Sequence, residues 1–234
     1  MKILGIDSSA KSASAAIVEN GKILSSFYIN TGLTHSQTLM PMIDGALKCA
    51  DINLNEIGLI AVNRGPGSFT GIRIGVAAAK GLADTACVKC CGISTLESMA
   101  YNLIQSNCIA CAVMDARCLQ VYYALFEIKD GTVTRLTEDA ADSITALGEK
   151  LKKYDQLKIF VGDGADLCYK ALKENLDNIS VACETLKFQN AVGVCMAAEK
   201  IAADNYIDGA GLVPEYLRLP QAERELNKKL KKGE

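Results

Sequence analysis

The sequence predicts an α/β protein of two lobes built alike, each a mixed sheet flanked by helices. Three observations lead there. A short apolar strand ends in Asp7-Ser8-Ser9 and folds straight back into a hairpin, and a second strand ending in Asp115-Ala116-Arg117 does the same. Each hairpin gives way to alternating strand and helix patterns, as expected where helices pack on a sheet. With 234 residues, half of them apolar, the chain can bury a large core in one long domain or two small ones. It divides into a first lobe over 1–105, a second over 106–220 and a helical tail over 221–234.

In the first lobe an antiparallel trio of strands is expected at 3–6, 13–19 and 22–29, with Asn20-Gly21 as a hairpin turn. The acid and hydroxyl residues that end the first strand either present a carboxylate and backbone N–H groups to a phosphate or metal, or simply cap the turn. Stretch 34–50 reads as a helix, with Leu39, Ile43, Ala46, Leu47 and Ala50 on one face and Met40 and Met42 widening it. Pro41 lies in its first turn or kinks it. His35 is the only histidine, so it cannot supply a metal pair, and nothing beside it suggests a nucleophilic triad. Helix-start or interface contact is its expected role.

The chain is organised around 57–85, IGLIAVNRGPGSFTGIRIGVAAAKGLADT: a strand, a glycine-rich loop and a helix capped by Ser68 or Thr70. Such a unit can cradle an anion, yet it matches neither GxxxxGK[ST] nor GxGxxG. Its helix carries Gly71, Gly75, Ala77, Ala78, Ala79, Gly81 and Ala83. Glycine inside a helix costs about 1 kcal/mol against alanine. Gly75 and Gly81 therefore imply close packing, either on the protein's own sheet or on a partner's helix. Arg64 and Arg73, at the ends of the loop–helix unit, are placed to meet a partner, a phosphate or a local carboxylate. A strand at 88–93 follows, and Ser94-Thr95-Leu96-Glu97 forms a capping box into the next helix.

The second lobe repeats the plan more loosely. Strands are expected at 108–114, 120–128 and 132–136, with Asp130-Gly131 as the second turn. A helix at 142–153, a strand at 158–161, the Gly162-Asp163-Gly164-Ala165 turn into another helix, and a long helix at 188–203 complete it. The tail helix at 222–232 carries Leu226 and Leu230. Its Lys228, Lys229, Lys231 and Lys232 form a solvated helix end or a phosphate contact.

Composition narrows the function. A formal net charge of −2 argues against an isolated nucleic-acid binder with a broad basic surface. No apolar run nears the ~20 residues of a membrane span, and the start turns acidic at Asp7 too soon for a secretory leader. A soluble, cytoplasmic protein without membrane association is expected. The ten cysteines then read as small buried hydrophobes rather than a disulfide framework. Cys87-x-x-Cys90 and Cys108-x-x-Cys111 superficially suggest zinc, but both read as strand, where residues i and i+3 face opposite ways. No metal site is expected.

The segments GIDSSAKSASAAIVENGKI, THSQTLMPMIDGAL, AVNRGPGSFTGIRIGVAAAKGLA, ISTLESMA, MDARCLQVYYALF and PEYLRLPQAERE resemble the TsaB (YeaZ) family. GPGSFTGIR is the most specific block, and 132–203 carries little signature. The resemblance implies the duplicated actin-like, ribonuclease H-like fold of the sugar-kinase and Hsp70 ATPase superfamily. It implies a non-catalytic scaffold that binds and activates the transferase TsaD. With the ATPase TsaE, they place a threonylcarbamoyl group on the adenosine beside the tRNA anticodon. It further implies a homodimer when TsaD is absent, and tRNA met only through the assembled complex. No cofactor belongs to the chain itself, with ATP or ADP at the complex interface left open.

By the same resemblance, the helix with the THS–P motif and the helix after GPGSFTG form the partner surface. That surface comprises His35, Leu39, Met40, Ile43, Leu47, Arg64, Gly71, Arg73, Gly75, Ala78 and Ala79. Ile43→Asp or Gly75→Leu is expected to break the complex and leave the monomer folded. Aligned through GPGSFTG, the His-x-x-x-His metal pair of TsaD-like proteins falls on Thr95 and Met99. A lone hydroxyl and a thioether are poor ligands for a hard catalytic cation. Two alternatives stand beside the scaffold. One is a nucleotide-binding ATPase or transferase with a cleft of Asp7, Ser8, Ser9, Asp115, Arg117, Gly162 and Gly164. The other is a metallopeptidase-like protein, for which one histidine and dispersed cysteines offer little.

Overall fold

Residues 1–218 are described by a computed structural model of the chain. The first half runs β1 (Lys2–Asp7), β2 (Ala13–Glu19), β3 (Lys22–Ile29), α1 (His35–Ala50), β4 (Leu59–Gly65), α2 (Phe69–Ala86), β5 (Cys90–Ser94) and α3 (Thr95–Ala100). The second runs β6 (Cys108–Asp115), β7 (Gln120–Lys129), β8 (Thr132–Arg135), β9 (Ala140–Ser143), α4 (Ile144–Leu151), β10 (Lys158–Val161), α5 (Ala165–Leu172), β11 (Ile179–Val181), α6 (Glu184–Lys187) and α7 (Ala191–Ala198). The first sheet has the order β3-β2-β1-β4-β5, antiparallel across the hairpins and parallel from β1 onward. The second has β8-β7-β6-β10-β11 with the same senses, and β9 adds to β7. Strand for strand this is one path walked twice, so the expected two-lobed, duplicated actin-like fold holds.

Local chemistry explains the matching hairpins. Asn20 and Gly21 have φ of 51° and 75°, and Asp130 and Gly131 have 49° and 73°. Two left-handed residues in a row suit the twist of the flanking strands. The lobes then exchange their crossing helices. Leu96, Met99 and Ala100 of α3 pack with Ala110, Ala112, Ala124 and Phe126 of the second sheet. Val194, Cys195, Ala197 and Ala198 of α7 pack with Ile3, Val18, Leu59 and Ala61 of the first. Where the two helices cross, a Cβ added at Gly193 would lie 2.2 Å from the Ser98 carbonyl oxygen. Only glycine allows that approach.

Several elements differ from the sequence expectation. The long helix at 188–203 is replaced by the short α6 and α7. Asn190 between them is extended, and its side chain accepts from the Val192 and Gly193 N–H groups. The helix at 142–153 is shortened because 140–143 joins β7 as a strand, and Ser143 caps α4 at Ala146. Pro41 lies inside α1, beyond its first turn. Cys87 is no strand residue but the left-handed C-cap of α2. Cys108 and Cys111 do sit on β6, buried on its opposite faces. Among the described residues no helix is long and apolar enough to cross a membrane. The expected tail helix lies outside the described residues.

Candidate functional site

The glycine-rich loop and the end of β1 are pressed together. Cβ atoms added at Gly67 and Gly71 would lie 2.2 Å from the Ser9 carbonyl oxygen and 2.1 Å from that of Ser8. The Ser68 N–H donates to the Ser9 carbonyl at 2.7 Å, and the Ser8 hydroxyl to the Gly71 carbonyl at 2.8 Å. Ser68 also caps α2, accepting from the Gly71 N–H at 3.3 Å. Asp7 is fully buried beneath this contact. Its Oδ1 accepts from the Ser9 N–H, the Ser9 hydroxyl and Asn63 Nδ2 at 3.2, 2.7 and 2.8 Å. Burial pushes the Asp7 pKa above the usual carboxylate range. The second lobe makes the same contact: the Gly164 N–H donates to the Val113 carbonyl, and a Cβ at Gly162 would lie 2.0 Å from that oxygen.

Above this floor an open cleft of about 570 Å³ separates the lobes. Ser9, Lys11, Phe69, Asp115, Arg117, Asp163 and Tyr216 are among the residues that line it. Of the expected cleft residues, Ser9, Asp115 and Arg117 therefore meet there. Asp7, Ser8, Gly162 and Gly164 pack behind its wall. Asp115 accepts from the Arg117 N–H at 2.7 Å, and Asp163 accepts from the Asp115 N–H at 3.2 Å. Asp163 touches solvent, yet the loop crowded around it desolvates its carboxyl and pushes the pKa up to about 6. Arg117, Cys118 and Leu119 follow one another at φ of 65°, 54° and 58°. Three such residues in a row store backbone strain.

Residues 212–218 strap the cleft mouth, a feature the residue patterns alone did not single out. Leu212 is buried in the first lobe's core. Glu215 pairs with Arg64 at 2.9 Å, and its N–H donates to the Arg64 carbonyl. Arg73 donates from Nε to the Tyr216 hydroxyl at 2.9 Å and stacks 3.9 Å over the Phe69 ring. Arg218 then donates to the Ala116 carbonyl of the second lobe at 3.1 Å. The local-carboxylate role is thus the one Arg64 fills. Glu97 makes only half the expected capping box: its N–H donates to Ser94, while its carboxylate pairs with Arg135 at 2.9 Å.

The expected partner residues divide by burial. Leu39 and Ile43 are 1% exposed and belong to the core with β1 and β4. Gly75 and Ala79 face the same way, and a Cβ at Gly75 would lie 2.5 Å from the Ser8 hydroxyl oxygen. Gly71 is pressed on Ser8. These positions are packed by the protein's own lobe, which corrects the picture of free apolar knobs and a free glycine face. His35 bonds through Nε2 to the Ala10 carbonyl at 2.7 Å, a helix-start contact. Leu47 and Ala78 are half-buried, while Met40 and Arg73 are exposed. The outer face of the helix pair is Met40, Pro41, Asp44 and Lys48 on α1 with Arg73, Ala77 and Gly81 on α2. A Cβ at Gly81 meets nothing within 4 Å.

Residues 30–226 match the family model described as TsaD: tRNA N6-adenosine threonylcarbamoyltransferase, which sets the broad class of the chain. The Bacillus subtilis tRNA threonylcarbamoyladenosine biosynthesis protein TsaB is 30% identical over 226 residues, 95% of this chain and 96% of that one. Its Escherichia coli namesake is 36% identical over 129 residues, 54% and 55% of the two chains. The structure of YeaZ from Pseudomonas aeruginosa superposes with a TM-score of 0.77 at 23% identity, over 92% of this chain and 99% of that one. This chain belongs to the TsaB (YeaZ) family.

Proposed function

We propose that this chain is a catalytically silent subunit in the formation of tRNA threonylcarbamoyladenosine. It binds and activates a TsaD-type transferase, with a TsaE-type ATPase as third member, and meets tRNA only through that assembly. The observation that carries this reading is the closed floor of the cleft. The glycine-rich loop, the part of the chain best suited to cradle a phosphate, directs its Ser68 N–H and its close glycine approaches at Ser8 and Ser9. Thr95 and Met99, where TsaD-like proteins carry their metal pair, are both fully buried.

Association uses the outer face of α1 and α2. Ala77 and Gly81 let a partner's backbone approach closely, and Met40 supplies an exposed apolar contact. A stable interface of this kind buries about 800 Å² per partner. Without the transferase the same face joins two copies of the chain. The test is a titration of the transferase with wild type and with Gly81→Arg, whose side chain points into open space and leaves the monomer intact. Loss of binding supports the reading, and undiminished binding removes this face from it.

A second reading rests on Lys11 and Arg117 lining the cleft together with Asp115 and Asp163. It places ATP or ADP in the cleft or at the complex interface. Equilibrium titration of the isolated chain and of the complex with magnesium ATP separates those two sites.

A further inference from the structure

The strap over 212–218 is fixed at one end and lightly held at the other. Its root is firm: Leu212 belongs to the first lobe's core, and Lys80 donates to its carbonyl at 3.3 Å. Beyond that root none of residues 213–218 is buried. The Arg64–Glu215 pair is open to water on both sides, and exposed ion pairs hold little. A segment with so few buried contacts opens at low cost. Yet this segment supplies Glu215, Tyr216, Leu217 and Arg218 to the lining of the cleft. Through Arg218, which donates to the Ala116 carbonyl and to the Gln120 side chain, it is also bonded to the second lobe.

One side chain of the first lobe pins the loose end. Arg73 donates from Nε to the Tyr216 hydroxyl at 2.9 Å. Its guanidinium stands 3.9 Å from the centre of the Phe69 ring and 5.9 Å from that of Tyr216, and the two rings are 4.7 Å apart. Contacts of this kind hold a side chain without burying it. Arg73 also has a second setting. It precedes Ala77 and Gly81 by four and eight residues on α2, so all three share the outer face. Among the described residues its one hydrogen-bond acceptor is the Tyr216 phenol, and no carboxylate pairs with it. A guanidinium bonded to a neutral hydroxyl gains by exchanging it for a carboxylate, because the charge-assisted bond is roughly twice as strong.

We propose that 212–218 is a latch across the cleft, pinned by Arg73 to Tyr216. A carboxylate of the partner protein, docking on the outer face of α1 and α2, releases it by taking Arg73. The release rests on the partner face proposed above, whereas the latch itself does not. Once Tyr216 is free, the strap swings from its root at Leu212 and Arg218 leaves the second lobe. The exchanged helices α3 and α7 still join the lobes, so the cleft widens without parting them. Occupation of the face and opening of the cleft thereby become one linked equilibrium, each favouring the other.

The test is amide hydrogen exchange of the full chain as wild type, Arg73→Ala and Tyr216→Phe, and of wild type saturated with a TsaD-type transferase. The Glu215 N–H, bonded to the Arg64 carbonyl at 2.7 Å, reports the seated strap. The Gln120 N–H, bonded to the Arg117 carbonyl at 3.1 Å, reports the second-lobe loop that Arg218 holds, and the Ile60 N–H in the first sheet is the control. Exchange at Glu215 should quicken about tenfold in Arg73→Ala and less in Tyr216→Phe. Gln120 should quicken in both while Ile60 does not change. Bound transferase should act on wild type as Arg73→Ala does. Unaltered Glu215 exchange in Arg73→Ala, or a faster Glu215 with Gln120 unmoved, overturns the latch. Should Ile60 also quicken in Arg73→Ala, Tyr216→Phe decides. Bound transferase that leaves Glu215 exchange unchanged or slows it overturns the release. If the transferase fails to bind, or binds Gly81→Arg equally well, the partner face is wrong, and the two variants still decide the latch.

Discussion

Glycine in α2 serves two purposes, and single substitutions separate them. At Gly75 the missing Cβ makes room for Ser8, so Gly75→Leu should cost about 1–3 kcal/mol in urea unfolding by overpacking. At Gly81 the space is open, so Gly81→Ala should leave the fold as stable or gain up to about 1 kcal/mol. Ile43→Asp buries a charge in the core and should destabilise on the order of 4 kcal/mol. It is therefore a stability variant and cannot isolate partner binding. Asp163 carries a pH signature. Its folded pKa is raised from 3.8 to about 6, so the folded state binds the extra proton between those values. That contribution is full below the unfolded pKa and is lost as pH rises through about 6. Stability profiles of wild type and Asp163→Asn should therefore differ in slope between about pH 4 and pH 6, with the variant flatter, and NMR of the carboxyl should titrate near 6.

Among the elements, α7 relies on Asn190 for two of the N–H groups at its start, while Ser14 accepts from the Ala191 N–H. Asn190→Ala removes the acceptor for two N–H groups and should cost about 1 kcal/mol, read from the shift in denaturation midpoint. The same helix shows what sequence could reveal. The Asn20-Gly21 and Asp130-Gly131 turns carry their geometry in their residue types, so both hairpins and the duplicated plan were legible. The apolar run around Val194 is buried against sheet and helix alike, and without a polar face its pattern cannot mark where the helix ends. Residues 140–143 have little strand propensity; pairing with β7 makes them a strand. The stripe of Leu39 and Ile43 announces burial against something, but periodicity cannot say whether that is the chain's own sheet or a partner. Gly75 carried the same ambiguity, and the Ser8 contact resolves it. Tyr216 and Arg218 left no periodic signal, because their partners lie more than a hundred residues away.

The whole molecule keeps the open cleft of its fold while closing the loop beneath it, and it ties its lobes together through exchanged helices and a strap. The proposed partner face and the cleft are thus separable by mutation. The measurement that tests this most directly is threonylcarbamoyl transfer to tRNA by a TsaD-type transferase, a TsaE-type ATPase and supplied threonylcarbamoyl-adenylate. This chain is added as wild type, Asp115→Ala or Gly81→Arg, or left out. Asp115 is exposed in the cleft, so its loss spares the core as that of Asp7 would not. Turnover should require the chain, persist with Asp115→Ala, and fall by about tenfold or more with Gly81→Arg at limiting concentration, a loss of roughly 1.4 kcal/mol in association. An Asp115→Ala chain that assembles normally yet abolishes turnover would contradict the account, because the cleft would then carry chemistry.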